Sequence, residues 1–225
     1  MKKSHIATLI VFLVLIPLTL ILGSRLSGRA FYVTSTLVIV ELLIPFFLAF
    51  EGRRPQAREL VVLAVMCALA VAGRVAIPIP SFKAIFGIIM IAGIAFGPES
   101  GFLVGAISAL ASNFFYSQGP YTPWQMMAYG AGGMLAGFVF AEGRLPRKPV
   151  VMGIFGFLAV AFFVGPLLDT CSVFLVMSRI SLKGAMAFYI SGFPVNLRQA
   201  VATAIVLLVL GKPLLEKLDR IKTKY

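Results

Sequence analysis

The sequence predicts an all-α integral membrane protein, and three observations carry that prediction. Of the 225 residues, 60% are hydrophobic and 12% charged, at a mean hydropathy of +1.00, whereas a soluble domain carries roughly a quarter charged residues. The apolar residues gather into eight runs, at about 6–23, 31–50, 58–77, 84–97, 101–115, 125–141, 150–177 and 185–211. Lys and Arg lie in short clusters between those runs. About 30 Å of hydrocarbon takes roughly 20 apolar residues in a helix, because a helix satisfies its own backbone polar groups where no water is at hand.

The first run follows Lys2 and Lys3 in the manner of a signal peptide. It leads to Gly23-Ser24-Arg25-Leu26 instead of an A-x-A cleavage site, so it is read as a retained helix. The second run holds Glu41, for which pairing with a neighbouring helix is expected. In the third, Ala64, Ala68 and Ala72 recur every four residues and make a smooth stripe on one face, since small side chains let helices approach closely in lipid. The fourth and fifth runs are short and join through Gly97-Pro98-Glu99-Ser100-Gly101, a tight turn that requires antiparallel neighbours. Gly105 with Ala109, and Gly130 with Gly133 and Gly137, repeat the small-residue spacing. The seventh run contains Gly165-Pro166 and then Asp169, for which three readings stand: an ion pair with Arg198 of the last run, a ligand contact, or a proton site. Cys67 and Cys171 are isolated inside apolar runs and read as small core residues.

The net charge of +12 could point to nucleic acid, but the cations are dispersed among the turns and form no single basic face. They act as topology signals. With the N-terminus inside, thirteen Lys and Arg fall in cytoplasmic segments against six outside, Arg198 lying within the last run. The positive-inside rule then places both termini in the cytoplasm and requires an even number of spans. The outer loops become about 24–30, 74–83, 113–124 and 178–184. In the third of these, the stretch from Asn113 to Gln125 interleaves aromatic rings with amides, hydroxyls and two prolines. Interfacial anchoring explains the rings; stacking faces beside directional hydrogen bonds favour a binding site.

Membrane enzymes need paired carboxylates, a metal-ligand cluster or an activated nucleophile. None stands here at a recognisable spacing; the single histidine is His5, and there is no H-E-x-x-H and no Walker A lysine. The chain is therefore expected to carry a small molecule without transforming it.

Three stretches bear a family resemblance: ARELVVLAVMCALAVAGR at 57–74, IAGIAFGPESGFLVGAISALASNFF at 91–115 and GPYTPWQMMAYGAGGMLAG at 119–137. Their order resembles the S components, the substrate-binding subunits of energy-coupling-factor (ECF) vitamin transporters. The resemblance covers roughly residues 57 to 212. It implies a six-helix core, residues 53–225, that binds a vitamin near the outer face. It also implies docking on a transmembrane coupling subunit driven by two cytoplasmic ATPases, which would use the ATP and magnesium. This chain itself is expected to hold no cofactor. The alanine stripe of the family's first core helix, which contacts the coupling subunit, falls on Ala64, Ala68 and Ala72. Residues 1–52 exceed the common plan and are read as two additional spans. That enlargement is most like the cobalamin-specific branch, and a corrin edged with carboxamides suits a site rich in rings and amides.

The candidate substrate residues are Asn113, Tyr116, Gln118, Tyr121, Trp124 and Gln125, with Arg74 and Lys83 from the preceding loop, and Tyr189, Asn196 and Arg198 from the last run. Tyr116, Tyr121 and Trp124 are expected to stack on the ligand. Asn113, Gln118 and Gln125 are expected to bond carboxamides, and Arg74 or Lys83 to hold a phosphate. The competing readings are a stand-alone secondary transporter or channel and, more remotely, a membrane enzyme or assembly factor. An ion-coupled carrier would show inverted repeats and midplane charges; no clear repeat is visible, and only Asp169 and Arg198 are candidates.

Overall fold

The computed structural model describes residues 14–15, 18–19, 30–52, 56–140, 143–177 and 181–223. The first expected span lies outside these but for four positions. Among the described residues the fold is all-helical, without a strand. Helix α1 is Ala30–Gly52, α2 Ala57–Val75, α3 Ile85–Phe96, α4 Pro98–Tyr116 and α5 Thr122–Phe140. Helix α6, Pro149–Ala159, runs through a π-helical turn at Val160–Val164 into α7, Gly165–Val176, and α8 is Leu182–Thr223.

Burial is arranged for lipid. Large apolar side chains face outward along α2 (Val61, 64% exposed), α6 (Val150, 61%) and α8 (Val209, 63%), while Ser100, Ser108, Ser112, Asn113 and Thr203 are wholly buried. Two continuous helices, Pro149–Val176 and Leu182–Lys222, have the length and apolarity of a membrane span. Helix α3 is different: its 12 residues are all buried, and at about 18 Å it is a central rod shorter than the hydrocarbon core.

Around that rod, α4 and α5 pack almost backbone to backbone. A Cβ placed on Gly101 would stand 2.5 Å from the Gly133 carbonyl oxygen, and one on Gly137 would stand 2.6 Å from Pro98 Cα. Glycine at these positions is what permits the approach. The expected tight turn is tighter still. Gly97 alone (φ 97°, ψ 173°) reverses the chain, and Pro98 already starts α4, where a missing N–H costs nothing. The positive φ is a conformation that only glycine adopts freely.

Two expectations are corrected. The last helix does not end near residue 211 but continues through Pro213 to Thr223. Tertiary contact overrides the Gly211-Lys212-Pro213 break: Leu215 and Leu218 are buried, and Lys222 Nζ donates to the Ala95 carbonyl at 2.6 Å. Arg147 joins the same end, donating to the Ile94 carbonyl at 3.1 Å and pairing with Asp219 at 3.2 Å. The two cations thus cap the C-terminal carbonyls of α3. The second correction concerns Asp169, which does not pair with Arg198. Its carboxylate accepts from Asn196 Nδ2 at 2.7 Å, and Arg198 is exposed. Glu41 likewise finds a neutral partner, accepting from the Thr19 hydroxyl at 2.6 Å.

Candidate functional site

The expected outer loop 113–124 is mostly helix, for α4 extends to Tyr116 and α5 begins at Thr122. What remains, residues 117–121, is held by a lattice of side-chain hydrogen bonds centred on Asn113, which is completely buried. Its Nδ2 donates to Gln125 Oε1 at 2.8 Å and to Thr122 Oγ1 at 3.2 Å. Its Oδ1 accepts from Arg74 Nη1 at 2.9 Å, and the same nitrogen donates to Ser112 Oγ at 2.5 Å. Thr122 in turn donates to Gln118 Oε1 at 2.9 Å, and Gln118 Nε2 donates to the Leu110 carbonyl at 3.0 Å. A buried amide costs about 1–3 kcal/mol when left without partners, so this closed set defines one arrangement of the helix ends.

Above the lattice lies a cavity of about 180 Å³. Arg74, Lys83, Tyr116, Phe86, Tyr129 and Gln199 line it, with Ser81 and Ile85. The Tyr116 ring forms a shared platform, with the Arg74 guanidinium 4.9 Å from its centroid and Lys83 Nζ 6.0 Å away. The Tyr116 hydroxyl donates to the Arg74 carbonyl at 3.0 Å, tying the end of α4 to the end of α2. Arg74 also stands 5.5 Å from the Tyr129 ring, and Phe86 meets that ring edge to face with centroids 4.6 Å apart. Lys83 donates to the Ile77 carbonyl at 2.5 Å. Ser81 and Ser117, with φ of 59° and 78°, occupy the left-handed region in the two loops beside the cavity. Backbone strain of this kind, of order 1–3 kcal/mol, persists where surrounding contacts hold it.

Three of the expected substrate residues, Arg74, Lys83 and Tyr116, thus come together on one cavity. Asn113, Gln118 and Gln125 sit beneath it with their amides bonded to one another and to the frame. Tyr121 donates to the Ser117 carbonyl at 2.7 Å. Trp124, 8% exposed, stacks on Phe174 at 5.6 Å and packs with Ile39 and Cys171. Its indole Nε1 has no hydrogen-bond partner among the described residues. The three residues of α8 are elsewhere: Asn196 holds Asp169, Tyr189 bonds Thr170 at 2.8 Å, and Arg198 points outward.

Sequence reasoning missed Phe86, Tyr129, Ser81 and Gln199. Gln199 gave a signal, an amide inside an apolar run, which the adjacent Arg198 drew away. Tyr129 stood in a glycine-rich stretch that reads as packing, and Phe86 and Ser81 gave none. On α2 the alanine stripe is open: Ala64, Ala68 and Ala72 are all exposed while Leu63, Met66, Cys67 and Ala70 are buried.

The family model described as "ECF-type riboflavin transporter, S component" matches residues 55–216. No curated protein and no solved structure matches the chain.

Proposed function

This chain belongs to the membrane-embedded family of ECF-type riboflavin transporter S components, and from that premise we propose that it is the substrate-binding subunit of a vitamin importer, catching its ligand in the Arg74–Lys83–Tyr116–Tyr129 cavity. The observation that carries this reading is the separation of two surfaces on α2. At its outer end Arg74 faces a formed cavity, while the exposed alanines below it offer a smooth face to another membrane protein. The coupling subunit would dock on that face, and hydrolysis would belong to two partner ATPases. The remaining topology is part of the same proposal: eight spans, both termini cytoplasmic in a prokaryotic cell membrane, and residues 1–52 as an addition to a six-helix core. The start of the family match at residue 55 agrees with that division.

The expected corrinoid finds no support in the match, whose description names riboflavin. A cavity of about 180 Å³ is small against the roughly 300–1,000 Å³ of most ligand sites, and its wall is made of single rings, not a corrin-sized cleft. A flat heteroaromatic ring, such as riboflavin carries, suits that wall better. The test is co-expression with a coupling subunit and its ATPases, followed by co-purification and equilibrium binding of riboflavin and cobalamin. A complex that forms and binds riboflavin supports the proposal; cobalamin bound in preference to riboflavin restores the corrinoid. A chain that transports alone, with no co-purifying ATPase, supports a stand-alone transporter.

A further inference from the structure

We infer that the ligand of this cavity carries a compact anionic group, a phosphate or a carboxylate, seated between Arg74 and Lys83; the inference rests on the cavity being the substrate site. Two cations line one small cavity that no carboxylate lines. Both stand by the same tyrosine ring and both are partly withdrawn from water, so two like charges share one wall and an anion between them would offset their repulsion. Their protein hydrogen bonds leave much of their donor capacity free. Among the described residues Arg74's side-chain hydrogen bonds all come from Nη1, leaving Nε and Nη2 as the two-pronged edge that grips carboxylate and phosphate oxygens. Lys83 gives one of its three N–H groups to Ile77.

Two neutral groups point the same way. Tyr129 is 4% exposed, lines the cavity and donates its hydroxyl to no described residue. Gln199 Oε1 is buried with no donor among the described residues. An oxyanion would accept from Arg74, Lys83 and Tyr129, and an N–H or O–H beside it on the ligand would satisfy Gln199. A neutral flavin ring supplies the N–H but leaves both charges unanswered. Its 5′-phosphate supplies what the cations lack.

The test compares riboflavin with flavin mononucleotide, which differ by one phosphate, on the purified full-length chain in lipid nanodiscs. Titrations would cover the unaltered protein, Lys83→Gln and Arg74→Lys. A mixture of folate, nicotinate, nicotinamide and thiamine, read by native mass spectrometry, extends the comparison to carboxylates. The expected result is that the mononucleotide binds about tenfold or more tighter than riboflavin, as a charge-assisted contact would give, or that folate or nicotinate is retained over nicotinamide and thiamine. Lys83→Gln removes a side chain whose one described hydrogen bond goes to a backbone carbonyl, and it should bring the flavin ratio to within about threefold of unity without unfolding the chain. Equal or tighter binding of riboflavin, with a ratio untouched by either variant, overturns the anion and leaves the substrate subunit standing. No binding of any probe, in a chain that also fails to co-purify with ATPases, overturns both.

Discussion

The two ends of the α4–α5 pair are built on opposite rules. At the Gly97 end the helices touch through glycine, and the contact surface is backbone against backbone. At the Asn113 end they are spaced by amides, hydroxyls and a guanidinium that bond one another. The first arrangement tolerates no added atom but requires no special chemistry. The second has room, and its uniqueness comes from the buried Asn113 amide being bonded at both its oxygen and its nitrogen. In a lipid solvent, where hydrophobicity does not hold helices together, close packing gives stability, and the polar lattice sets the geometry of a site. The cavity belongs to the second end, where Arg74 and Tyr116 line it.

The largest effect should come from breaking the close-packed end. Gly133→Leu drives a side chain into the Gly101 backbone, which cannot move aside as a flexible side chain would; overpacking costs typically 1–3 kcal/mol and more against backbone. The chain should fail to accumulate as a monodisperse species in size-exclusion chromatography. Asn113→Leu comes next. It strands Gln125 and Arg74 at about 1–3 kcal/mol for each unsatisfied group, so the protein should still fold, melt at lower temperature and lose most of its ligand affinity. A melting point lowered with affinity unchanged would detach the lattice from the site. The smallest effect should be Arg147→Ala at the C-terminal end of α3. Its pairing with Asp219 is half exposed and worth about 0–1 kcal/mol, so thermal stability should fall slightly while ligand binding is unaffected.

The helices were legible in the sequence because lipid demands long apolar runs, and seven of the eight runs overlap helices of the structure. Their ends were less so. Pro213 reads as a stop, yet the burial of Leu215 and Leu218 carries α8 past it. Side-chain pairing across helices was the least legible. Asn196 and Arg198 are two residues apart, about 200° around a helix, so the face that meets Asp169 can hold one of them but not both. The sequence shows the charges and not the rotation. The same limit explains the site. Arg74, Lys83 and Tyr116, which line the cavity, were singled out because they flank loops, where binding residues concentrate. Tyr129 and Gln199 enter from mid-helix positions whose facing only the assembled bundle reveals.

The proposed function divides α2 between two surfaces, capture at the Arg74 cavity and coupling on the open stripe at Ala64, Ala68 and Ala72. Its most direct test measures both in one protein: Ala64→Trp with Ala68→Trp, assayed for ligand binding by the isolated chain and for uptake by cells supplying the partner subunits. Both positions are exposed, so affinity should stay within about twofold of the unaltered chain while uptake is abolished. Uptake that survives in an assembled complex, or binding lost together with uptake, would contradict it.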